Sequence, residues 1–274
     1  MNYQPELRAA LAAARRAGEL IRREYESFVA IPDAPVSIST HADRAAQDLI
    51  IESLLAAFPD DAICAEEATP TLAKAKQAGR RVWVIDPIDG TRGFAMKNGE
   101  FSVMIGLTVE RQPVVGVVYE PIPDRMTYAT AGGGCFAEDR GGQPARIHVS
   151  QAPHLPESVL VKSHGKPGKV SPEVAAIAPK AVKETFSAGV KLALVARGEA
   201  DLYPNTYSKF ADWDICAGHV LVAEAGGTVT TLHGQPLSYG GAKFAQAGGL
   251  LATNGLLHDS AVEKLKTLTD QRTS

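Results

Sequence analysis

Two carboxylates three residues apart, with a glycine and a threonine directly behind them, make Asp86-Pro87-Ile88-Asp89-Gly90-Thr91 the stretch of this chain best suited to chemistry. Two anions aimed at one point repel each other unless a cation lies between them. Hard Mg²⁺ is the natural candidate, because it takes oxygen ligands and keeps waters and substrate phosphates in its shell. Gly90 lets the backbone approach a ligand closely, and Thr91 can open a helix whose N–H groups face a phosphate. The bland alternative for the same residues is an Asp-Pro turn with a helix cap. Asp-x-x-Asp-Gly-Thr alone does not choose between the two.

Other acids sit where they could join such a site. Ala62-Ile63-Cys64-Ala65 ends in Glu66 and Glu67. On an extended backbone these two point to opposite sides, one able to bind metal directly and the other to hold a water or a second ion; a solvated acidic loop is the alternative. Asp212-Trp213-Asp214 opens an apolar stretch that stops at Gly226-Gly227 and reads as one complete capped helix; Asp212 or Asp214 is its cap, and a carboxylate there that also faces a metal serves both purposes. Asp43 precedes a helix expected over residues 44–58 and is placed as its N-cap. Ser163-His164 follow an apolar strand at 159–161, where a strand-end loop can carry ligand contacts.

The elements that must position these residues are legible around them. Val82–Ile85 reads as a short buried strand, and Pro87 biases Asp86 towards extended backbone at the strand's end. Leu7, Leu11, Ala14, Gly18, Ile21, Tyr25 and Phe28 form the stripe of an amphipathic helix. Residues 36–43 read as extended, and 101–109, 114–119 and 126–130 as an antiparallel meander. After a Pro-containing connector, strands and helices alternate, with a helix at 190–198, another at 261–268 and a frayed end from 270 to 274. The expected division is an N-terminal subdomain, 1–155, carrying the metal site, and a C-terminal subdomain, 156–274, completing it.

With 45% hydrophobic and 22% charged residues in 274, the composition is that of a globular protein with a sizeable core. A net charge of −3 offers no basic field for a nucleic acid polymer or an anionic membrane, so a small phosphorylated substrate is the expected partner. Cys64, Cys135 and Cys216 lie far apart without a C-x-x-C pair, which argues against a disulfide framework or zinc knuckle. The charged N-terminus lacks a signal-peptide core and no apolar run approaches the ~20 residues of a membrane span, so a cytoplasmic protein is expected.

Taken together, Ala65-Glu66-Glu67, Asp86-Pro87-Ile88-Asp89-Gly90-Thr91, and Trp213-Asp214-Ile215-Cys216-Ala217-Gly218 with Glu224-Ala225-Gly226-Gly227 resemble the inositol monophosphatase superfamily of lithium-sensitive, Mg²⁺-dependent phosphatases. The resemblance covers nearly the whole chain. It implies an α+β fold, the layered αβαβα sandwich, with two or three Mg²⁺ ions held by Glu66, Asp86, the carbonyl of Ile88, Asp89 and Asp214. It further implies that Thr91 and Asp43 orient and deprotonate the attacking water, that Glu67 is an auxiliary acid near a weaker ion, and that Gly90 and Thr91 hold the phosphate. A homodimer is compatible with the family.

Within the superfamily, Thr91-Arg92-Gly93-Phe94 followed by Asn98-Gly99-Glu100-Phe101-Ser102-Val103 is more similar to the 3′(2′),5′-bisphosphate nucleotidases, including the bacterial CysQ type. Ser163, His164 and Lys191 resemble residues bordering the nucleotide in that branch, and Lys191 either meets the 5′-phosphate as a point charge or snorkels from its helix. The expected reaction is removal of the 3′-phosphate of adenosine 3′,5′-bisphosphate. An inositol, histidinol or sugar phosphatase is the alternative in the same class, and a silent phosphate-binding regulatory module the alternative of another class.

Overall fold

The stripe from Leu7 to Ile21 winds residues Gln4–Ser27 into helix α1, whose buried face is rich in alanine. Small residues there bring the helix close to its neighbours, and at Gly18 a Cβ atom would stand 2.1 Å from the Tyr119 ring. The computed structural model describes residues 3–35, 38–166, 168–207 and 210–270, so Val36 and Ser37 of the expected extended segment, and residues 271–274 of the expected frayed end, lie outside the described residues. Helix α2 (His41–Ala57) starts three residues before the expected Arg44, and its N-cap is Thr40. Asp43 is therefore inside the first turn, reaching back to accept from the Thr40 N–H at 2.8 Å and the Thr40 hydroxyl at 2.5 Å. Thr40 is the better cap because its backbone is extended, and an acid three residues on completes the reciprocal arrangement.

From there the chain runs β1 (Ala62–Ala65), the short α3 (Pro70–Lys74), β2 (Arg81–Asp89), the short α4 (Thr91–Ala95), and then the strands β3 (Ser102–Val109), β4 (Gln112–Glu120), β5 (Arg125–Thr130), β6 (Gly134–Asp139) and β7 (Ala145–Ile147). Among the described residues these seven strands form one sheet in sequence order, with β1 parallel to β2 and every later pair antiparallel. The expected meander is present and extends by two strands past Gly132–Gly134. The second half supplies β8 (Val159–Lys162), α5 (Pro172–Ile177), β9 (Ala181–Glu184), α6 (Ala188–Ala196), β10 (Leu202–Asn205), β11 (Phe210–Ala211), α7 (Cys216–Glu224), β12 (Thr228–Thr230), β13 (Ala245–Gln246), β14 (Leu250–Thr253) and α8 (His258–Asp270). A mixed sheet orders as β12-β14-β10-β8-β9, and β11 pairs with β13 apart from it.

Three apolar clusters show why the elements stack in five layers. Ala10, Ala14 and Ile21 of α1 and Ile50 and Leu54 of α2 cover one face of the large sheet, meeting Trp83, Ile85, Ile105 and Val117. Residues of alternate parity on the same strands, Val84, Met104 and Val118, pack on the other face against Leu192 of α6 and Cys216 and Val220 of α7. The same cluster contains Tyr203 and Leu250 of the second sheet, so α6 and α7 are sandwiched between sheets. On the far side of that second sheet, Leu160, Leu202 and Leu251 meet Ile177 of α5 and Ala261 and Leu265 of α8. The order is helix, sheet, helix, sheet, helix, an α+β sandwich. No helix among the described residues is long and apolar enough to cross a membrane.

Close contact between α7 and the large sheet depends on Gly116, where a Cβ would lie 2.2 Å from the Ala217 carbonyl oxygen. Backbone on the other side has no rotamer with which to give way. Gly116→Ala is expected to lower unfolding free energy by about 1–3 kcal/mol in urea titration, the range for overpacking a filled core, with an unchanged m value.

Candidate active site

β2 brings the central carboxylates out of the core. Its pairing with β3 is regular from Arg81 to Asp86 and then slips before Asp89. The strand thus runs past the expected end at Asp86, tolerating Pro87 because the slip leaves it outside the ladder. This irregularity has a geometric effect. In a regular strand, residues three apart face opposite sides, whereas the slip allows Asp86 and Asp89 to converge. Both are buried, at 2% and 6% exposure.

Asp214 reaches the same point from the middle layer. The single helix expected from Asp212 is broken: a 3₁₀ turn covers Asp212–Asp214, Ile215 departs from helical angles, and α7 begins at Cys216. The two acids at the head of this segment take different partners. Asp212 turns away to accept from the Gly240 N–H at 2.6 Å and the Gln246 amide at 2.7 Å, fastening a distant loop. Asp214 accepts from the Ala211 N–H at 2.6 Å and contributes to a cluster in which one oxygen each of Asp86, Asp89 and Asp214 lie within 4.8 Å of one another.

Glu66 comes alongside because β1 and β2 are parallel with Ala65 opposite Ile85. The chain bends immediately after Ala65, so Glu66 and Glu67 both line the cavity in front of the cluster, in place of the opposite-sided arrangement expected of an extended backbone. Gln47 of α2 fixes that bend, its amide donating to the Glu67 carbonyl at 2.6 Å and accepting from the Glu67 N–H at 2.8 Å.

Crowding of this kind is electrostatically unfavourable for protein alone. Burial, then repulsion by Glu66, Asp89 and Asp214, holds Asp86 well above the usual carboxylate range. Burial, then repulsion by Asp214, pushes Glu66 up to about 8. Its side chain is exposed to the open cavity, where solvent screens part of that repulsion. Burial also raises Asp214 to about 7. Asp86 Oδ1 is buried with no hydrogen-bond partner among the described residues, a rare and costly state for a carboxylate oxygen. An orphaned oxygen beside other hard oxygen donors fits a divalent cation, and the oxygens close enough to share one are those of Asp86, Asp89 and Asp214, with Glu66 and Ile88 on the same cavity lining.

Thr91 and Asp43, the pair expected to orient the water, are also brought together. Thr91 follows Gly90, whose left-handed backbone (φ 88°) starts α4. Its hydroxyl lies 3.2 Å from Asp43 Oδ1 and 2.9 Å from the Ile88 carbonyl, close enough to donate its one proton to either. Asp43 is fully buried, and burial raises its pKa although Thr40 works in the opposite direction.

Among the residues expected at the substrate end, Ser163, His164 and Lys191 line the cavity that holds the acids, a space of about 840 Å³. Lys191 neither snorkels nor offers a free charge. It is 1% exposed, and its three N–H groups are directed to the Ser163 hydroxyl at 3.0 Å, the Thr185 carbonyl at 3.0 Å and the Phe186 carbonyl at 2.9 Å. It is a buried staple for the loop before α6, and burial lowers its pKa to about 8 against the attraction of Asp89 and Glu100.

Ser187 was not foreseen as a site residue, although a serine opening a helical pattern is a cap signal. It caps α6, accepting from the Val190 N–H at 2.9 Å, and donates to Asp89. Asp89 also accepts from the N–H groups of Ala188 at 3.1 Å and Gly189 at 2.6 Å, so the start of α6 locks its orientation. Long-range partners such as Gln47 have no local sequence signal.

The five-layer sandwich thus brings acids from separate elements together beside a Gly-Thr turn. The sequence profile of the Inositol monophosphatase family matches residues 2–270, and the chain belongs to that family. It is 35% identical to the 3′(2′),5′-bisphosphate nucleotidase CysQ of Escherichia coli (strain K12) over 231 residues, covering 82% of this chain and 90% of that protein. It is 31% identical to an inositol monophosphatase of Mesembryanthemum crystallinum over 270 residues, covering 95% of each. The solved inositol monophosphatase from Anabaena (Nostoc) sp. PCC 7120 superposes with a TM-score of 0.79 at 31% identity, over 97% of both chains. The protein is a phosphatase of this type.

A carboxyl whose pKa is higher folded than unfolded binds more protons in the folded state, so stability falls as pH rises between the two values. For Asp214 that interval runs from 3.8 to about 7, and for Glu66 from 4.5 to about 8. EDTA-treated protein is therefore expected to melt at progressively lower temperature as pH rises through these intervals, with Asp214→Asn flattening the decline and added Mg²⁺ raising the melting temperature most at the alkaline end. Thermal unfolding followed by circular dichroism checks all three.

Proposed function

We propose that this phosphatase removes the 3′-phosphate of adenosine 3′,5′-bisphosphate in a Mg²⁺-dependent reaction. The observation that carries the reading is the cavity of about 840 Å³, lined by the acids and also by Ser163, His164 and Phe186. That volume leaves room for a nucleoside beside the phosphate. Identity to the E. coli nucleotidase supports the same choice.

In this reading Glu66, Asp86, the Ile88 carbonyl, Asp89 and Asp214 hold two Mg²⁺ ions, with Glu67 beside a weaker third. Bound there, the ions supply positive charge that acidifies a water and neutralises the phosphoryl oxygens and the leaving alkoxide. The chain's own contribution is orientation and proton transfer. Asp43 takes the Thr91 hydroxyl proton in a hydrogen bond, leaving a Thr91 lone pair to accept from a water and aim its oxygen at phosphorus. As the new O–P bond forms and the ester O–P bond breaks, the water proton passes to Thr91, the Thr91 proton to Asp43, and the leaving oxygen takes a proton from solvent. Burial makes Asp43 a stronger base than an ordinary aspartate. Gly90 and Thr91 N–H groups hold the phosphate, and no protein nucleophile is required.

Hydrolysis of inositol monophosphate is the second reading, favoured by 31% identity across nearly all of the plant enzyme. Phosphate release from adenosine 3′,5′-bisphosphate, inositol 1-phosphate, histidinol phosphate and fructose 1,6-bisphosphate, with Mg²⁺ or with EDTA, separates the two. The nucleotide is expected to have the highest kcat/KM; an inositol phosphate preferred by tenfold would reverse the assignment, and silence on all four would favour a binding module. Thr91→Ala is expected to lower kcat by about 100-fold, the order of a lost general acid–base partner, with Mg²⁺ affinity retained. A variant at wild-type turnover would remove Thr91 from the mechanism.

A further inference from the structure

Glu100 has no part in the proposed reaction, yet it links the turn after the acids to residues that line the cavity. Its backbone is seated on the turn that carries the acids: Cβ atoms added at Gly90 and Gly93 would lie 2.7 Å and 2.4 Å from the Glu100 carbonyl oxygen. Only glycine at both positions permits that approach. Its side chain points the other way, towards the second half of the chain. One carboxylate oxygen, Oε2, accepts from His164 Nε2 at 2.6 Å and from the Phe186 N–H at 3.2 Å.

These two partners form the far wall. The His164 ring lies 4.5 Å from the Phe186 ring between centroids, and the Arg92 guanidinium lies over Phe186 at 5.2 Å. All three residues line the cavity. Arg92 belongs to α4 and donates to the Ala34 carbonyl at 2.8 Å, and the imidazole is tilted 45° from the phenyl, so guanidinium, phenyl and imidazole form a π-faced group anchored at both ends to the segment 90–100. Phe186 precedes Ser187, which donates to Asp89. Glu100 thus helps to set where this π-faced surface stands relative to the acids, together with Lys191, which donates to the Phe186 carbonyl at 2.9 Å, and Glu184, whose Oε2 lies 3.5 Å from His164 Nδ1.

We propose that Glu100 is a positioning residue for substrate selectivity: it clamps His164 and Phe186 so that the far wall accepts a phosphomonoester bearing a planar ring. The proposal rests on the nucleotide reading for its choice of substrate, but the clamp itself does not. A flat ring laid against aromatic and guanidinium faces gains stacking and cation–π attraction that a polyol cannot match. Releasing the clamp lets the wall move and costs the planar substrate more than the compact one.

The test compares wild type, Glu100→Ala, Glu100→Gln, His164→Ala and the Glu100→Ala/His164→Ala double variant. Glu100→Ala is expected to reduce the ratio of kcat/KM for adenosine 3′,5′-bisphosphate to that for inositol 1-phosphate by about tenfold or more, the scale of a lost charged hydrogen bond, and mainly through KM. Glu100→Gln, which keeps one acceptor, should recover part of the ratio. In the His164→Ala background the change should shrink to less than about threefold, since residues acting as a unit are non-additive. An unchanged ratio, or full additivity, overturns the proposal. Hydrogen exchange of the substrate-free protein tests the clamp independently: the Phe186 amide should exchange at least about tenfold faster in Glu100→Ala while β3 and β4 amides keep their protection. If wild type ignores the nucleotide but this acceleration is seen, the substrate reading fails and the clamp stands; unchanged exchange at Phe186 removes the clamp.

Discussion

Repulsion among carboxylates that the fold forces together is the constraint on which the rest of this structure depends. Asp86, Asp89 and Asp214 approach within 4.8 Å, and Glu66 stands beside them. None has a protein cation as direct partner among the described residues, and Asp86 Oδ1 has no partner of any kind there. Left to itself such a cluster separates, takes up protons or gathers cations. The protein prevents the first by drawing each acid from a different rigid element and tying it down: Asp86 in the ladder of β2, Asp89 under the start of α6, Asp214 against Ala211, Glu66 beyond a bend pinned by Gln47.

This explains the role of the middle helical layer. α6 and α7 lie between the two sheets and bury little polar surface along their lengths, but their N-terminal ends reach the cluster from the side opposite β2. Lys191, enclosed in α6, adds a fixed positive charge that attracts Asp89 and Asp214 without touching either. Gly116 and Gly18 keep the layers close enough for these reaches to work. The site is thus a product of layer packing, and the loops around it supply the substrate end.

Much of this was legible in the chain because its signals are local. The α1 stripe, the meander, and the Asp-Gly-Thr turn each announce themselves within a few residues, and the three acidic motifs together specified the family. What escaped was what depends on tertiary contact. The slip between Asp86 and Asp89 has no sequence mark except Pro87, so the strand seemed to end early. Asp212 and Asp214 offer the same cap signal at the head of one helix, and only their tertiary partners, Gly240 and Gln246 for the one and Asp86 and Asp89 for the other, give them different tasks. Lys191 offered two surface roles on a helical wheel, yet the loop at 185–186 folds over it and takes its protons. Glu100, Gln47 and Ser187 act on partners roughly 20 to 100 positions away, a distance at which periodicity is silent.

Asp86→Asn isolates the central claim better than a change at Asp89, whose amide would face the N–H donors of Ala188 and Gly189. The measurement is direct binding of Mn²⁺, a paramagnetic stand-in for Mg²⁺, to wild type and to Asp86→Asn, followed by electron paramagnetic resonance together with a thermal melt. The account predicts that wild type binds at least two ions and that the variant loses affinity for the tighter by about tenfold or more while its metal-free form melts no lower, because removing a repelled buried charge relieves the cluster. Equal Mn²⁺ binding by both proteins, or none by wild type, would contradict it.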